Sequence, residues 1–151
     1  MAEQLSEHFS WAEALKSDKA EELGISNVPD SKVTGNMIVA ASQLEQVRKL
    51  VGPLIINSWF RSPEVNAAIG GVTQSAHCSG YAIDCRSSVL SPLLLCKKVA
   101  DSGIKFDQII HEYGRWMHIS FDPRMRGQVM TKFGGGYVVG LLTEEQYNKK
   151  K

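Results

Sequence analysis

Two histidines and an aspartate carry the strongest chemical signal in this chain: His77, Asp84 and His118. Neutral imidazoles and a carboxylate are zinc donors, and three protein ligands leave one position for water. His77 and Asp84 lie within Ser75-Ala76-His77-Cys78-Ser79-Gly80-Tyr81-Ala82-Ile83-Asp84, separated by a small, flexible Ser79-Gly80 step. His118 follows in Trp116-Met117-His118. A zinc hydrolase also needs a carboxylate to take the proton of the activated water and pass it to the leaving amine. Glu112, the nearest carboxylate upstream of His118, can do this. A cation should stabilise the oxyanion that builds up on the carbonyl, and Arg61 can supply it. Taken singly, each residue has a plain structural alternative. The histidines can be satisfied core residues, Asp84 a turn or cap, and Arg61 a surface group or the ion-pair partner of Glu64. Jointly they point to metal-assisted hydrolysis.

These side chains need elements to aim them. Ser10, with Glu13 as capping-box partner, starts a helix predicted over Trp11–Leu23 and stopped by Gly24. Residues 25–35 read as a loop. Met37, Ile38, Ala41, Leu44, Val47 and Leu50 have helical spacing over Asn36–Leu50, and Gly52-Pro53 ends that helix. Leu54–Ser58 reads as a strand. Ser62 caps a short helix with Pro63 in its first turn, which Gly70-Gly71 ends, so Arg61 stands at a strand-to-helix junction. Tyr81–Cys85 alternates as a strand, with Ala82 and Asp84 on one face. Ser91–Ser102 reads as a helix covering the sheet.

Phe106–Glu112 and Trp116–Phe121 read as a hairpin around Tyr113-Gly114-Arg115. With Glu112 opposite Trp116, Ile110 falls opposite His118, and Glu112 lies diagonally from His118 on the same face. His111 then points to the other face. Asp107 reads as a structural carboxylate. Asp122 has the right parity but lies two pleats past His118. The tail, Arg124–Lys151, reads as a flexible loop around Gly134-Gly135-Gly136 followed by a marginal edge strand. Lys149-Lys150-Lys151 reads as a solvated end, with some affinity for anionic wall polymers. His8 reads as a surface or capping residue.

Composition sets the outer limits. A chain of 151 residues, 43% hydrophobic and 22% charged, fits one folded domain with a real core. A net charge of +1 argues against a nucleic-acid partner. No run of about 18 apolar residues suggests membrane insertion. The start, Met1-Ala2-Glu3-Gln4, lacks the basic and apolar regions of a signal peptide, so synthesis in the cytoplasm is expected. Cys78, Cys85 and Cys96 are an odd set without a CxxC pair, which argues against a disulfide framework. A Cys/His metal site would need the adjacent His77 and Cys78 to converge, which an extended chain opposes. Small buried apolar residues are the better reading of the cysteines.

The motif Ser-x-His-x-x-Gly-x-Ala-x-Asp, present as Ser75, His77, Gly80, Ala82 and Asp84, resembles the signature of a zinc peptidase family. This is the D-Ala-D-Ala carboxypeptidase and L-alanyl-D-glutamate endopeptidase family, with the hedgehog-like peptidase fold. Arg61-Ser62-Pro63-Glu64-Val65-Asn66, Phe106–Ile110 leading to Glu112, and Trp116–Ser120 are similar to further family segments. The resemblance runs from about Leu5 to Phe121 and extends to short phage and prophage members that cleave peptidoglycan. It implies an α+β fold, a small antiparallel sheet carrying the zinc site and flanked by helices. It also implies a single zinc peptidase domain over residues 1–151, with about 124–151 as a C-terminal extension. By resemblance, His77, Asp84 and His118 hold Zn2+, Arg61 binds the substrate carbonyl, and Ser75 orients the site or touches substrate. The implied substrate is a peptidoglycan peptide cut by a monomeric enzyme, reaching the wall after release or carried in a virion. Many family members place the catalytic acid where this chain has Arg115. That departure leaves Glu112 as the base by geometry. It also keeps open a non-catalytic zinc-containing wall-binding or virion structural module on the same fold.

Overall fold

A long helix sets the frame because its sequence offers one continuous apolar stripe. In the computed structural model, which describes residues 3–73 and 75–150, this is α3 (Ser31–Val51). It follows α1 (Trp11–Leu15) and α2 (Asp18–Leu23). Met1, Ala2, Gln74 and Lys151, which belong to the N-terminal, loop and tail readings above, lie outside the described residues. Met37, Ala40, Ala41, Leu44, Val47 and Val51 of α3 are buried, the recurrence of a face that meets a core. Asp30 caps the helix by accepting from the Val33 N–H, so it begins earlier than the expected Asn36.

The first predicted helix is broken in two. The Ser10–Glu13 capping box forms as expected, but Lys16 is extended and Ser17 accepts from the Ala20 N–H, starting a second helix. A serine that can cap outcompetes continuation of a short helix.

The sheet has six strands in the order β1-β2-β4-β3-β5-β6. They are β1 (Leu54–Ser58), β2 (Ala82–Ser87), β3 (Gln108–Glu112), β4 (Trp116–Ser120), β5 (Gln128–Phe133) and β6 (Gly136–Val139). Neighbours are antiparallel except β3 and β5, which are parallel. The tail therefore corrects the loop reading. The expected edge strand forms as β6, while β5 and α6 (Glu144–Lys150) are elements that reading did not contain. The remaining helices are α4 (Pro63–Ala68), capped by Ser62, and α5 (Pro92–Ala100), capped by Ser91.

Period-2 alternation divides the sheet into two faces. Ile83, Cys85, Ile109, Met117 and Ile119 join Leu44, Leu95 and Val99 in the core. Asp84, Ile110, Glu112, Trp116 and His118 line the opposite face. Among the described residues no helix is long and apolar enough to cross a membrane.

Candidate metal centre and its cleft

Strand pairing brings the first two donors together. Asp84 on β2 is the direct cross-strand partner of His118 on β4, and Asp84 Oδ1 lies 2.9 Å from His118 Nδ1. His77 comes from the loop before β2. Its Nε2 lies 3.4 Å from the same Asp84 oxygen, and the two imidazole rings meet edge-on with centroids 5.2 Å apart. Among the described residues this trio is the one His/Cys/Asp/Glu cluster placed to hold a metal, with donor atoms all within 4.8 Å of one another. Donors bonded at ~2.1 Å on a tetrahedron stand about 3.4 Å apart, so the spacing fits a small divalent ion.

The surroundings prepare the donors. His77 Nδ1 lies 2.7 Å from the Trp59 carbonyl, which only accepts, so Nδ1 carries the proton and Nε2 presents its lone pair to the cluster. Burial holds the His77 pKa below its ordinary value and keeps the ring neutral. Burial would push the Asp84 pKa up, but His77 and His118 overcome it and hold the carboxyl far below the usual range. An ionised carboxylate and a neutral imidazole are the forms that bind metal. Cys78 lies outside the cluster, and burial raises its thiol pKa, so it stays protonated. Cys85 and Cys96 are buried in the core, as expected.

The loop carrying His77 is clamped from both sides. Gly80 adopts φ +84°, and a Cβ there would lie 2.6 Å from Met37 Cγ of α3. The Trp59 indole donates to the Gly80 carbonyl at 2.9 Å. Asn36 of α3 donates to the Ser79 carbonyl at 3.0 Å and accepts from the Tyr81 hydroxyl at 2.8 Å. Ser75 accepts from the His77 N–H through its hydroxyl at 3.2 Å.

A cleft of about 700 Å³ opens over the cluster, and Arg61, Ser75, His77, Asp84, Glu112 and His118 all line it. The hairpin register is the expected one, Glu112 opposite Trp116 and Ile110 opposite His118. Glu112 Oε2 accepts from the Trp116 indole at 2.6 Å, a partner the sequence pattern did not single out. Burial, then the charge of Asp84, raises the Glu112 pKa above the ordinary carboxylate value, while His118, Trp116 and Lys132 act the other way. Arg61 is half-buried, and its Nε has no partner among the described residues. A buried donor facing a cleft is suited to a ligand oxygen.

Asn27 fixes the backbone on both sides of Arg61, donating to the Phe60 carbonyl at 3.0 Å and accepting from the Ser62 N–H at 2.7 Å. Nothing in its sequence surroundings marks that role. Arg115, at the tip of the hairpin, is exposed and does not line the cleft. Asp107 is a structural carboxylate: Arg126 grips both its oxygens at 2.8 Å. His111 is buried on the opposite face, with its ring 6.0 Å from Tyr147 of α6.

A comparison with protein families decides the class. The model described as peptidase M15 matches residues 7–120. The chain belongs to the peptidase M15 family. This makes it a member of a zinc-dependent metallopeptidase family, and the His-Asp-His trio stands where a metal can sit. No curated protein matches the chain. The matched segment of this M15 chain ends at the last residue of β4, so β5, β6 and α6 lie beyond it.

Proposed function

We propose that this protein is a zinc peptidase that hydrolyses a peptide bond in the stem or cross-bridge of bacterial peptidoglycan. We infer that it acts as a phage-type endolysin, as a monomer, reaching the wall after release or within a virion. The observation that carries the peptidase reading is the convergence of His77, Asp84 and His118 with Glu112 and Arg61 in one cleft. The family match supports it, and the likeness of the motifs to short phage members supports the endolysin role.

In this reading His77 Nε2, an Asp84 carboxylate oxygen and His118 Nδ1 hold the ion. When bound, zinc supplies Lewis acidity toward a water and the scissile carbonyl. Glu112 takes the proton of the attacking water and hands it to the leaving amine. The Trp116 indole occupies Oε2, which leaves Oε1 for that transfer. The Arg61 guanidinium stabilises the developing oxyanion. Ser75 orients the His77 loop through its hydroxyl.

Zymography on purified cell walls tests the proposal. Wild type with zinc should clear the wall, and a chelator should abolish clearing. Equal clearing by His118→Ala would refute it. In parallel, zinc near 1,000 times its Kd should raise the melting temperature on the order of 10 °C, and His118→Ala should lose this shift.

A further inference from the structure

The row of side chains that contains Glu112 continues onto strands outside the family match. Trp116 is paired with Glu112, Glu112 with Lys132, and Lys132 with Tyr137. Four strands thus place Trp116, Glu112, Lys132 and Tyr137 abreast on one face, and all four line the cleft. Lys132 Nζ lies 4.1 Å from the Tyr137 ring centroid and 5.6 Å from that of Tyr113. Among the described residues Lys132 makes no salt bridge.

Tyr113 holds φ 56°, a conformation rare for a bulky residue. Its N–H donates to the Lys132 carbonyl at 2.9 Å, which pins the turn to β5 and sets the Tyr113 ring between Lys132 and Trp116. Strain of this kind persists where the surroundings enforce it, and it clusters at ligand clamps. Two aromatic rings steady the ammonium without neutralising it. An ammonium has three donors, and Lys132 lines the cleft on the strand position directly across from Glu112.

We propose that Lys132, steadied by Tyr113 and Tyr137, binds a free carboxylate on the substrate next to the scissile peptide bond. This rests on the peptidoglycan reading and narrows it. Stem peptides carry a γ-linked D-glutamate whose α-carboxyl is free in some walls and amidated in others. Lys132 selects the free form, because the amide offers no charge to the ammonium.

The test compares γ-D-glutamyl-L-lysinamide, in which the glutamyl α-carboxyl is the one free carboxylate, with the same peptide amidated at that carboxyl. Binding is measured by calorimetry to zinc-loaded protein in a Glu112→Gln background, so that neither peptide is turned over. The free acid should bind about ten-fold more tightly than the amide, the worth of one charge-assisted hydrogen bond. Lys132→Met should erase the difference and Lys132→Arg should keep it. Equal binding of acid and amide, failure of both to bind, or a Lys132→Met effect confined to melting temperature would overturn the proposal. A Lys132→Met enzyme with wild-type Glu112 that shows only a shifted pH profile and an unchanged KM would also overturn it, since Lys132 would then merely tune the base. Digestion of whole sacculi by wild type separates the two layers. Sacculi cut without any acid–amide discrimination retain the peptidase and remove the Lys132 role. Discrimination in binding without cleavage does the reverse.

Discussion

As the proposed general base, Glu112 is a carboxylate with a raised pKa that accepts from the Trp116 indole. A general base works deprotonated. Activity should therefore rise with pH along a limb set by Glu112 ionisation, which burial shifts upward and a cation bound at Asp84 and His118 would shift downward. The Trp116 hydrogen bond lowers this pKa, so Trp116→Phe should move the limb to higher pH, read from kcat/KM profiles. Glu112→Gln should lose about 10²-fold or more in kcat while binding zinc as wild type does, checked by metal analysis of the purified variant. Retained turnover would instead assign the base elsewhere. Retained affinity for the wall with no turnover in either protein would favour a binding module.

At the scale of elements, the site depends on how a loop and a helix meet. Gly80 carries a positive φ and lies against Met37 and Val33 of α3. Gly80→Ala should therefore cost about 2 kcal/mol and weaken zinc binding, because the loop that carries His77 must move. A melting curve unchanged from wild type would show that the loop yields freely. The segment after β4 is held by Asp107, whose carboxyl accepts from Arg126 three times: from the backbone N–H at 3.0 Å, and from Nε and Nη2 at 2.8 Å each. The Arg126 hydrogen bond, more than burial, shapes this pKa and holds it below the ordinary value. A depressed carboxylate contributes stability above its unfolded pKa and loses it as pH falls through the folded one. Wild type should therefore lose stability in acid below about pH 4. Asp107→Asn should melt lower at neutral pH and show a flatter acid dependence.

For the whole molecule, the parallel pairing of β3 and β5 makes the C-terminal segment part of the sheet that carries Glu112. We infer that a chain ending at Asp122 loses cooperative melting, since it uncovers the β3 edge and the buried His111. Cooperative melting with wild-type zinc affinity would mark the segment as a dispensable extension of a domain complete without it.

Much of this was legible from local pattern. The donor types were explicit, and period-2 alternation placed Glu112 and His118 on one face of a hairpin. That pattern holds because side chains in a strand alternate strictly. Ser10, Ser62 and Ser91 marked three helix starts because capping is a local hydrogen bond. Ser17 and Asp30 cap by the same physics but were hidden within longer helical and loop readings. The tertiary structure alone decided what those residues meet. The opposition of Asp84 and His118, the Trp59 carbonyl that sets the His77 tautomer, and the place of Lys132 beside Glu112 all join segments distant in the chain. Such pairings follow from burial of a shared core and closure of the sheet, and no local period encodes them.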